Sequence, residues 1–426
     1  MNKTISCFKK KYSQNKTIII VSILAIVILL KLFLICSSSL RSDIINFHYN
    51  WSKYISQNNI FSIYSENAIK LLNPCTIDYP PIFPLILSIL SVPATAAYDS
   101  GNLHLYYFLI KIPIVIVNTI FSIYLYKKVS KPFAIFWFCN PLFLFDTELW
   151  GQTDTLLCIV IVLFVVSITQ KEYVKGSVFF AIGCLLKLQM CYLAPIYLVF
   201  LFKSKNIKKI FSGISIGGAI GITGWLPFII YNKDILLPFK VYFSGPLRQV
   251  YLSYNCSNIY NFFSSTKISD INFMGLSGSV INFIIIGIVA IISSIIIFKA
   301  STKEAEIVGT CFYLFSIYMF SFSQHERYLI PTTAIFSVLV LLHNKKEYIG
   351  PLIATTLSSI FCMTFVFVSD LTIFNSAPGT VWRPNTLIMT LFALAFLLTI
   401  SSYIYFVYLI FKNKKEYFTN KSKKEV

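Results

Sequence analysis

Long apolar runs constrain the fold of this chain more than any other feature. A helix of roughly 20 apolar residues crosses a bilayer, because it pairs its backbone polar groups internally. The sequence therefore predicts an all-α, polytopic transmembrane helix bundle of about twelve helices, forming one domain over residues 1–426. The apolar runs are 17–36, 103–126, 132–147, 154–170, 176–188, 190–202, 210–231, 279–299, 306–323, 329–343, 349–369 and 386–411.

Composition excludes the other broad classes of protein. Only 12% of the residues are charged, and the mean hydropathy is +0.73, which excludes a soluble enzyme and a disordered chain. The net charge of +19 does not indicate nucleic acid, because the basic residues lie between apolar runs rather than on one polar face. We expect a lipid bilayer as the surroundings of the chain and no nucleic-acid partner.

The basic residues also predict the orientation. Loops on the cytoplasmic side of a membrane carry an excess of Lys and Arg. With both termini inside, most of the 36 basic residues fall on predicted cytoplasmic segments. The topology is therefore predicted as N-in and C-in, with a basic cytoplasmic tail at 412–426. The segments are 1–16, 127–131, 171–175, 203–209, 299–305, 344–348 and 412–426.

Two apolar stretches are assigned by this alternation of sides. Residues 176–202 are predicted to form two short helices with Lys187 and Gln189 at the outer tip, because one crossing would reverse the loops that follow. Residues 82–97 are predicted to form a re-entrant or interfacial helix, since four prolines in and before this stretch favour broken geometry.

The two longest outer loops are predicted at 37–102 and 232–278. In the first loop, Phe47, Trp51 and Ile55 follow helical spacing. Such amphipathic stretches favour interfacial helices that lie along the bilayer surface.

The predicted outer and inner sides of the membrane carry different types of charged residue. All Arg and all Asp residues fall on the predicted outer side, whereas the inner side carries almost only Lys. A planar Arg matches phosphate oxygens better than a Lys point charge does, so chemistry is expected outside. The alternative is that Asp is simply kept from one face. These residues are Arg41, Arg248, Arg327, Arg383, Asp43, Asp78, Asp99, Asp146, Asp154, Asp234, Asp270 and Asp370.

Two acids in the first outer loop are candidates for the site. Asp43 follows the first apolar run, where a carboxylate under a loop could accept a proton from an acceptor hydroxyl; the alternative is a solvated loop acid. Asp78 and Tyr79 precede Pro80 and Pro81, which preset a rigid turn. That turn could fix both side chains in a site, or Asp78 could be a cap.

A second group lies in a tight turn between two apolar runs. Gly151 permits close backbone approach, and Trp150 could stack on a sugar or belong to the interfacial aromatic belt. The neighbouring Gln152 and Asp154 favour a ligand site, and the acids Asp146 and Glu148 flank the turn.

Cationic candidates come from later segments. Lys187, beside Gln189, could pair with an outer carboxylate, contact a lipid phosphate or extend to the surface. His325, Glu326 and Arg327 are consecutive between two apolar runs, where such residues are costly unless they face a cavity.

His325 and Arg327 together could hold a phosphate, and Arg248 is a further candidate for this role. A single His without a paired partner argues against a dedicated zinc site, so no metal and no cofactor are expected.

The order of these segments resembles the C-type superfamily of membrane glycosyltransferases. It is similar to bacterial proteins related to GPI mannosyltransferase II, and to the dolichyl-phosphate-glucose glucosyltransferases. The resemblance covers about residues 43–335, and the transferase core it implies is 17–343, with 349–411 as added C-terminal helices. The segments are Asp43, DYPP at 78–81, NP at 140–141, WGQTD at 150–154, KLQ at 187–189 with AP at 194–195, NCSNIYNFF at 255–263 and HERYLIP at 325–331.

This resemblance implies an inverting transfer of a hexose, mannose or glucose. The donor would be a polyprenyl- or dolichyl-phosphate sugar, and the acceptor a hydroxyl of a glycan or a lipid-linked molecule. The active site would face outward from a bacterial cell membrane or, alternatively, the lumen of the endoplasmic reticulum. Asp43 matches the catalytic acid of the family's first outer loop. The positions matching its cavity residues are Asp78, Trp150, Gln152, Asp154, His325 and Arg327.

The chain departs from the glucosyltransferases at two places. They carry Lys where this chain has Arg327, and they lack the WGQTD form at 150–154. Both departures favour the bacterial branch and leave the sugar open. A transporter or flippase, or a polymerase of a lipid-linked glycan, remains the alternative function. A disulfide between Cys75 and Cys256 is also left open.

Overall fold

The computed structural model describes residues 2–37, 39–263, 265–375 and 386–418, with side chains undescribed at 2–18, 20, 246–248 and 372–375. Over these ranges the chain is almost entirely helical, and its only strands are four of two residues each. The all-α prediction therefore agrees with the structure. Arg383 and the tail beyond residue 418 lie outside the described residues, and so does the side chain of Arg248.

The N-terminal half contains twelve α-helices. They are α1 (Asn2–Ser37), α2 (Arg41–Asp43), α3 (Asn50–Gln57), α4 (Glu66–Leu72), α5 (Ile82–Ser88), α6 (Ser91–Asp99), α7 (Leu103–Tyr124), α8 (Lys131–Cys139), α9 (Pro141–Leu144), α10 (Asp154–Thr169), α11 (Tyr173–Leu186) and α12 (Ala194–Lys203). Three wider π-helical segments interrupt this series, at Ile44–Tyr49, Leu125–Val129 and Phe145–Trp150.

The C-terminal half continues in the same way. Its helices are α13 (Ile207–Asn232), α14 (Leu237–Arg248), α15 (Gly278–Lys299), α16 (Lys303–Phe320), α17 (Ile330–Leu341), α18 (Ile349–Asn375), α19 (Thr386–Lys412) and α20 (Lys414–Phe418). Its strands are β1 (Ser253–Tyr254), β2 (Asn272–Phe273), β3 (Leu276–Ser277) and β4 (Gln324–His325). β1 and β4 pair in parallel, and β2 and β3 form an antiparallel hairpin.

Five described helices are long and apolar enough to cross a membrane, or up to seven if each of two bent helix pairs counts as one span. These helices indicate an integral membrane protein. Four shorter apolar helices accompany them, so the twelve-helix count and the N-in, C-in topology stay predictions. The five are 103–129, 207–232, 278–299, 346–371 and 386–412, and the pairs are 21–37 with 41–57 and 82–88 with 91–99.

Several predicted breaks are observed. The chain leaves α11 at Lys187, which is extended, and a 3₁₀ turn at Leu188–Leu193 leads into α12. α5 and α6 are bent by 61°, which agrees with broken geometry at 82–97. The run 132–147 was predicted as one helix and is not, because Pro141 follows Asn140, whose side chain accepts the Leu142 N–H at 2.9 Å and starts α9.

The helices of the first long loop pack against protein, whereas the sequence predicted that they lie along the bilayer surface. The helices exist, but Trp51 and Ile55 on α3 are buried inside the protein rather than laid against lipid. They belong to a core cluster that also takes in Phe83, Trp225 and Phe228 from α5 and α13. The amphipathic pattern was right, and the partner of its apolar face is the protein itself.

The C-terminal helices share the main core with the central helices. α10 and α17 are buried along almost their whole length, which suits helices that are apolar on every side. Tyr417 in α20 is buried and shares a hydrogen bond of 2.7 Å with Tyr348. Helices after residue 349 are therefore part of the same packed unit. No disulfide joins Cys75 to Cys256, both of which the structure describes.

Candidate active site

Two π-helical segments position the predicted site residues. Asp43 immediately precedes the segment Ile44–Tyr49, and Trp150 ends the segment Phe145–Trp150. π-helical turns are rare and occur often at functional sites, because the extra residue redirects the side chains around it. Both π-helical turns therefore contribute to the region where the predicted site residues lie.

Gly151 allows the second segment to approach the first. Its φ is +89°, a left-handed conformation that side chains disfavour. A Cβ at this position would lie 2.9 Å from Ile44 Cδ1 and 3.3 Å from Lys111 Cγ. The turn therefore requires glycine, and it brings Trp150 and Gln152 to Asp43.

The Asp43 carboxylate is held by one oxygen. Its Oδ2 accepts hydrogen bonds from Trp150 Nε1 at 3.1 Å and from Gln152 Nε2 at 2.5 Å. Gln152 is held in turn by Tyr79, whose hydroxyl donates to Gln152 Oε1 at 3.4 Å. Within the described part of the chain, Asp43 Oδ1 has no hydrogen-bond partner. One oxygen thus orients the side chain while the other stays available.

Asp154 forms ion pairs with two cations near the Asp43 carboxylate. Its Oδ2 lies 2.8 Å from Lys187 Nζ and 3.2 Å from Arg327 Nε, and all three side chains are largely buried. The Arg327 guanidinium also lies 5.7 Å from the centre of the Trp150 ring. We call this group the Asp43 cluster. Its members are Asp43, Tyr79, Trp150, Gln152, Asp154, Lys187 and Arg327.

The cations of the Asp43 cluster share one carboxylate oxygen. Lys187 Nζ and Arg327 Nε are buried, and neither has a hydrogen bond among the described residues, although both make ion-pair contacts with Asp154. Gln189 Oε1 is likewise buried without a partner. Because Lys187 carries three N–H donors and contacts one oxygen, it retains donors for a ligand anion.

Glu326 fixes the orientation of Arg327. It accepts a hydrogen bond of 2.6 Å from Arg327 Nη1. Burial alone would raise the pKa of Glu326, but the Arg327 guanidinium and His325 lower that pKa to about 2. The carboxylate therefore stays charged and occupies one edge of the guanidinium.

His325 lies at the margin of the cluster rather than within it. Its ring stacks on Tyr254 with centroids 4.6 Å apart, and its Nε2 lies 3.3 Å from Gln249 Oε1. The parallel pairing of β1 with β4 aligns Tyr254 with His325. His325 is 3.7 Å from Glu326 and contacts the cluster through that residue.

Three of the predicted acids, Asp146, Glu148 and Asp78, are not members of the Asp43 cluster. Asp146 accepts hydrogen bonds from the backbone N–H and the hydroxyl of Thr155, at 2.8 and 2.7 Å, and so braces the start of α10. Glu148 pairs with Lys31. Asp78 precedes Tyr79 of the cluster in the chain, and its carboxylate lies near the end of α14: a Cβ at Gly245 would be 4.0 Å from Asp78 Oδ2.

Lys31, Lys111 and Glu148 form a second buried group, which we call the Glu148 cluster. Lys31 donates to Glu148. Lys111 Nζ donates to the carbonyl oxygens of Glu148 at 2.9 Å and Leu149 at 3.1 Å. The cluster ties α1 and α7 to the π-helical segment that presents Trp150. It was not expected from the sequence, where Glu148 was grouped with the ligand turn.

Asp370 is a further residue that the sequence reasoning missed. Its carboxylate accepts the backbone N–H of Arg41 at 2.7 Å and of Ser42 at 3.2 Å, and so caps the turn that carries Asp43. The only available signal was an acid at the end of an apolar run. His48 was also missed: it is buried between Trp51 and Phe83, with Nδ1 unpaired among the described residues.

The described residues contain no group of three or more His, Cys, Asp or Glu side chains placed to hold a metal ion. Comparison of the chain with protein-family models and with curated proteins gives no match.

Proposed function

We propose that this chain is an inverting glycosyltransferase of the membrane. It moves a hexose, mannose or glucose, from a polyprenyl-phosphate sugar to a hydroxyl of a glycan or lipid-linked acceptor, on the non-cytoplasmic face. The proposal rests on one observation above all. A carboxylate with a free oxygen, Asp43, lies beside the buried cations Lys187 and Arg327, which share one oxygen of Asp154.

Asp43 acts as the general base in this proposal. Its free oxygen takes the proton of the acceptor hydroxyl as that oxygen attacks the anomeric carbon of the donor sugar. The bond between the anomeric carbon and the phosphate oxygen breaks, and polyprenyl phosphate leaves with the electron pair. One displacement inverts the anomeric centre, and the proton stays on Asp43 until water removes it.

Lys187 and Arg327 stabilise the leaving phosphate. Its negative charge grows as the bond breaks, and fixed cations in a site of low dielectric stabilise that charge more than they stabilise the bound donor. Arg327 is held by Glu326 and Asp154, so its position does not depend on the ligand. Tyr79, which is partly exposed, supplies a flat apolar surface beside Lys187, as a sugar face requires, whereas Trp150 is fully buried and orients Asp43.

The test is transfer by the full chain in liposomes. The purified protein is supplied with radiolabelled polyprenyl-phosphate mannose or glucose and with an acceptor extract from membranes that lack the protein. We expect one donor to be consumed, with release of free polyprenyl phosphate in proportion to the sugar transferred. Asp43→Asn is the matched inactive variant, and Asp99→Asn, an exposed acid of the same loop, is the active control.

Two results would reject the proposal. Movement of the intact lipid-linked substrate across the bilayer, without release of polyprenyl phosphate, would support a transporter or flippase instead. Release of polyprenyl pyrophosphate from an oligosaccharide donor would support a polymerase.

A further inference from the structure

Helix α14 has an apolar face that no described part of the protein covers. Leu237 and Val241 point into the core cluster of the first loop. On the other side, Phe239 is 60% exposed and Phe243 is 64% exposed. Large aromatic side chains at this spacing form one stripe along the helix, because residues four apart are neighbours on its surface.

The β2–β3 hairpin exposes a second apolar surface at the other end of the same loop. Phe273 is 65% exposed, and Met274, in the turn, is 87% exposed. The turn is tight, since Met274 and Gly275 both have positive φ. The hairpin therefore ends in a small apolar tip.

Both surfaces continue the exposed faces of candidate membrane spans. Ile222, Leu226 and Ile230 are exposed on α13, and α14 begins at Leu237, shortly after α13 ends at Asn232. The hairpin runs directly into α15 at Gly278, and Phe283 near the start of α15 is 75% exposed. Apolar surfaces that adjoin candidate membrane spans are expected to contact lipid rather than water.

We propose that α14 and the tip of the β2–β3 hairpin dock into the leaflet at the ends of α13 and α15. Phe239 and Phe243 enter the boundary between headgroups and acyl chains, as amphipathic helices do at that depth. Lys240, exposed beside them and paired with Asp234, lies at the level of the lipid phosphates. The partner is the bilayer rather than a second copy, because the apolar surface is continuous with two spans.

This docking brings the bilayer close to the Asp43 cluster. A Cβ at Gly245, in the last turn of α14, would lie 3.4 Å from Leu188, the neighbour of Lys187. One face of α14 thus belongs to the docking surface, and its end approaches the candidate site. The docking itself does not depend on the transferase activity.

A photoactivatable phospholipid tests the docking on the unaltered chain. The full protein is reconstituted with a diazirine-bearing lipid, irradiated and digested, and adducts are mapped by mass spectrometry. We expect adducts on Phe239, Phe243 and Met274 at a level similar to Phe283 in α15. Adducts confined to the spans, with none in α14 or the hairpin, would overturn the proposal.

Cysteine labelling gives a second measurement. In a background without native cysteines, Phe243→Cys is compared with Lys240→Cys on the same helix. Labelling by a water-soluble maleimide requires the thiolate, and each unit by which burial raises a thiol pKa lowers its rate about tenfold. We expect position 243 to react at least about tenfold more slowly than position 240. Equal rates, or crosslinking of Met274→Cys between two chains, would overturn lipid docking.

Discussion

The Asp43 and Glu148 clusters are both buried and charged, and they differ in how their cations are paired. In the Glu148 cluster, Lys31 has a carboxylate acceptor and Lys111 has backbone carbonyl acceptors. The unpaired atom there is an anion, Glu148 Oε2. In the Asp43 cluster, Lys187 Nζ and Arg327 Nε share a single acceptor, Asp154 Oδ2, at 2.8 and 3.2 Å.

We infer that this difference separates a structural group from a ligand site. Cations whose donors are used hold helices together and offer nothing to a phosphate. Lys111 also donates to backbone carbonyls near the end of a π-helical segment, where positive charge is favourable. Lys187, which contacts a single carboxylate oxygen, retains N–H donors that suit an incoming anion. Burial and charge alone would not distinguish the two clusters.

The largest expected effect is on Asp43. Asp43→Asn keeps the size of the side chain and a hydrogen-bond acceptor for Trp150, but it cannot take a proton. We expect turnover to fall roughly 10²–10⁴-fold, while thermal stability and donor binding stay close to wild type. Initial rates at matched protein levels give the measurement. Normal turnover would remove Asp43 as the base.

The Glu148 cluster should respond in the opposite way. Glu148→Gln leaves Lys31 buried without its carboxylate, and loss of one partner from a buried pair costs roughly 3–5 kcal/mol of stability. We expect less folded protein and a lower melting temperature, with near-normal turnover in the molecules that fold. Glu172→Gln, which breaks an exposed pair with Lys175, is the control. A stable but inactive Glu148→Gln protein would move Glu148 into the active site.

Arg327 tests the donor side of the Asp43 cluster. A charge-assisted hydrogen bond contributes roughly 1.5–3 kcal/mol, so Arg327→Ala should lower use of the lipid-phosphate donor about tenfold to a hundredfold. Lys345→Ala, which removes a pair with Glu416 near the other end of α17, should leave donor use unchanged. The ratio of kcat to KM for the donor is measured for both. Equal losses in the two variants would contradict the assignment.

Asp370 should give the smallest effect. Loss of a side-chain cap costs roughly 0.5–2 kcal/mol of local stability. Because this cap holds the turn that carries Asp43, Asp370→Ala should lower kcat several-fold with little change in donor KM. Asp370→Asn should restore most of the rate, because Asn is also a good cap. Asp234→Ala removes a comparable cap, on the Leu236 N–H, in another loop and is expected to be silent. No rescue by Asn would mean that Asp370 acts through its charge.

The sequence predicted the helical class and the break at Lys187 because hydropathy, proline and charge act locally. It also named the residues that the structure brings together around Asp43, because they are polar or aromatic side chains at breaks between apolar runs. It did not predict the π-helical turns, because their pattern is hidden within a helical period. It also missed the Lys31–Glu148 pair and the Asp370 cap, because contacts between distant positions leave no local signal.

The same limit explains the first loop. Phe47, Trp51 and Ile55 indicated an apolar face correctly, but hydropathy does not say whether lipid or protein covers it. Here α5 and α13 cover it. On α14 a similar face has no protein cover among the described residues, and that contrast came only from the structure.

Binding of polyprenyl phosphate tests most directly whether the Asp43 cluster, and not the Glu148 cluster, receives a phosphate. A ligand at 100 times its Kd stabilises the folded state by about 2.7 kcal/mol, which a melting curve of the full chain in detergent can resolve. We predict that polyprenyl phosphate raises the melting temperature of wild type and of Glu148→Gln by similar amounts and leaves Arg327→Ala almost unchanged. An equal rise in Arg327→Ala, or a rise lost only in Glu148→Gln, would contradict the account.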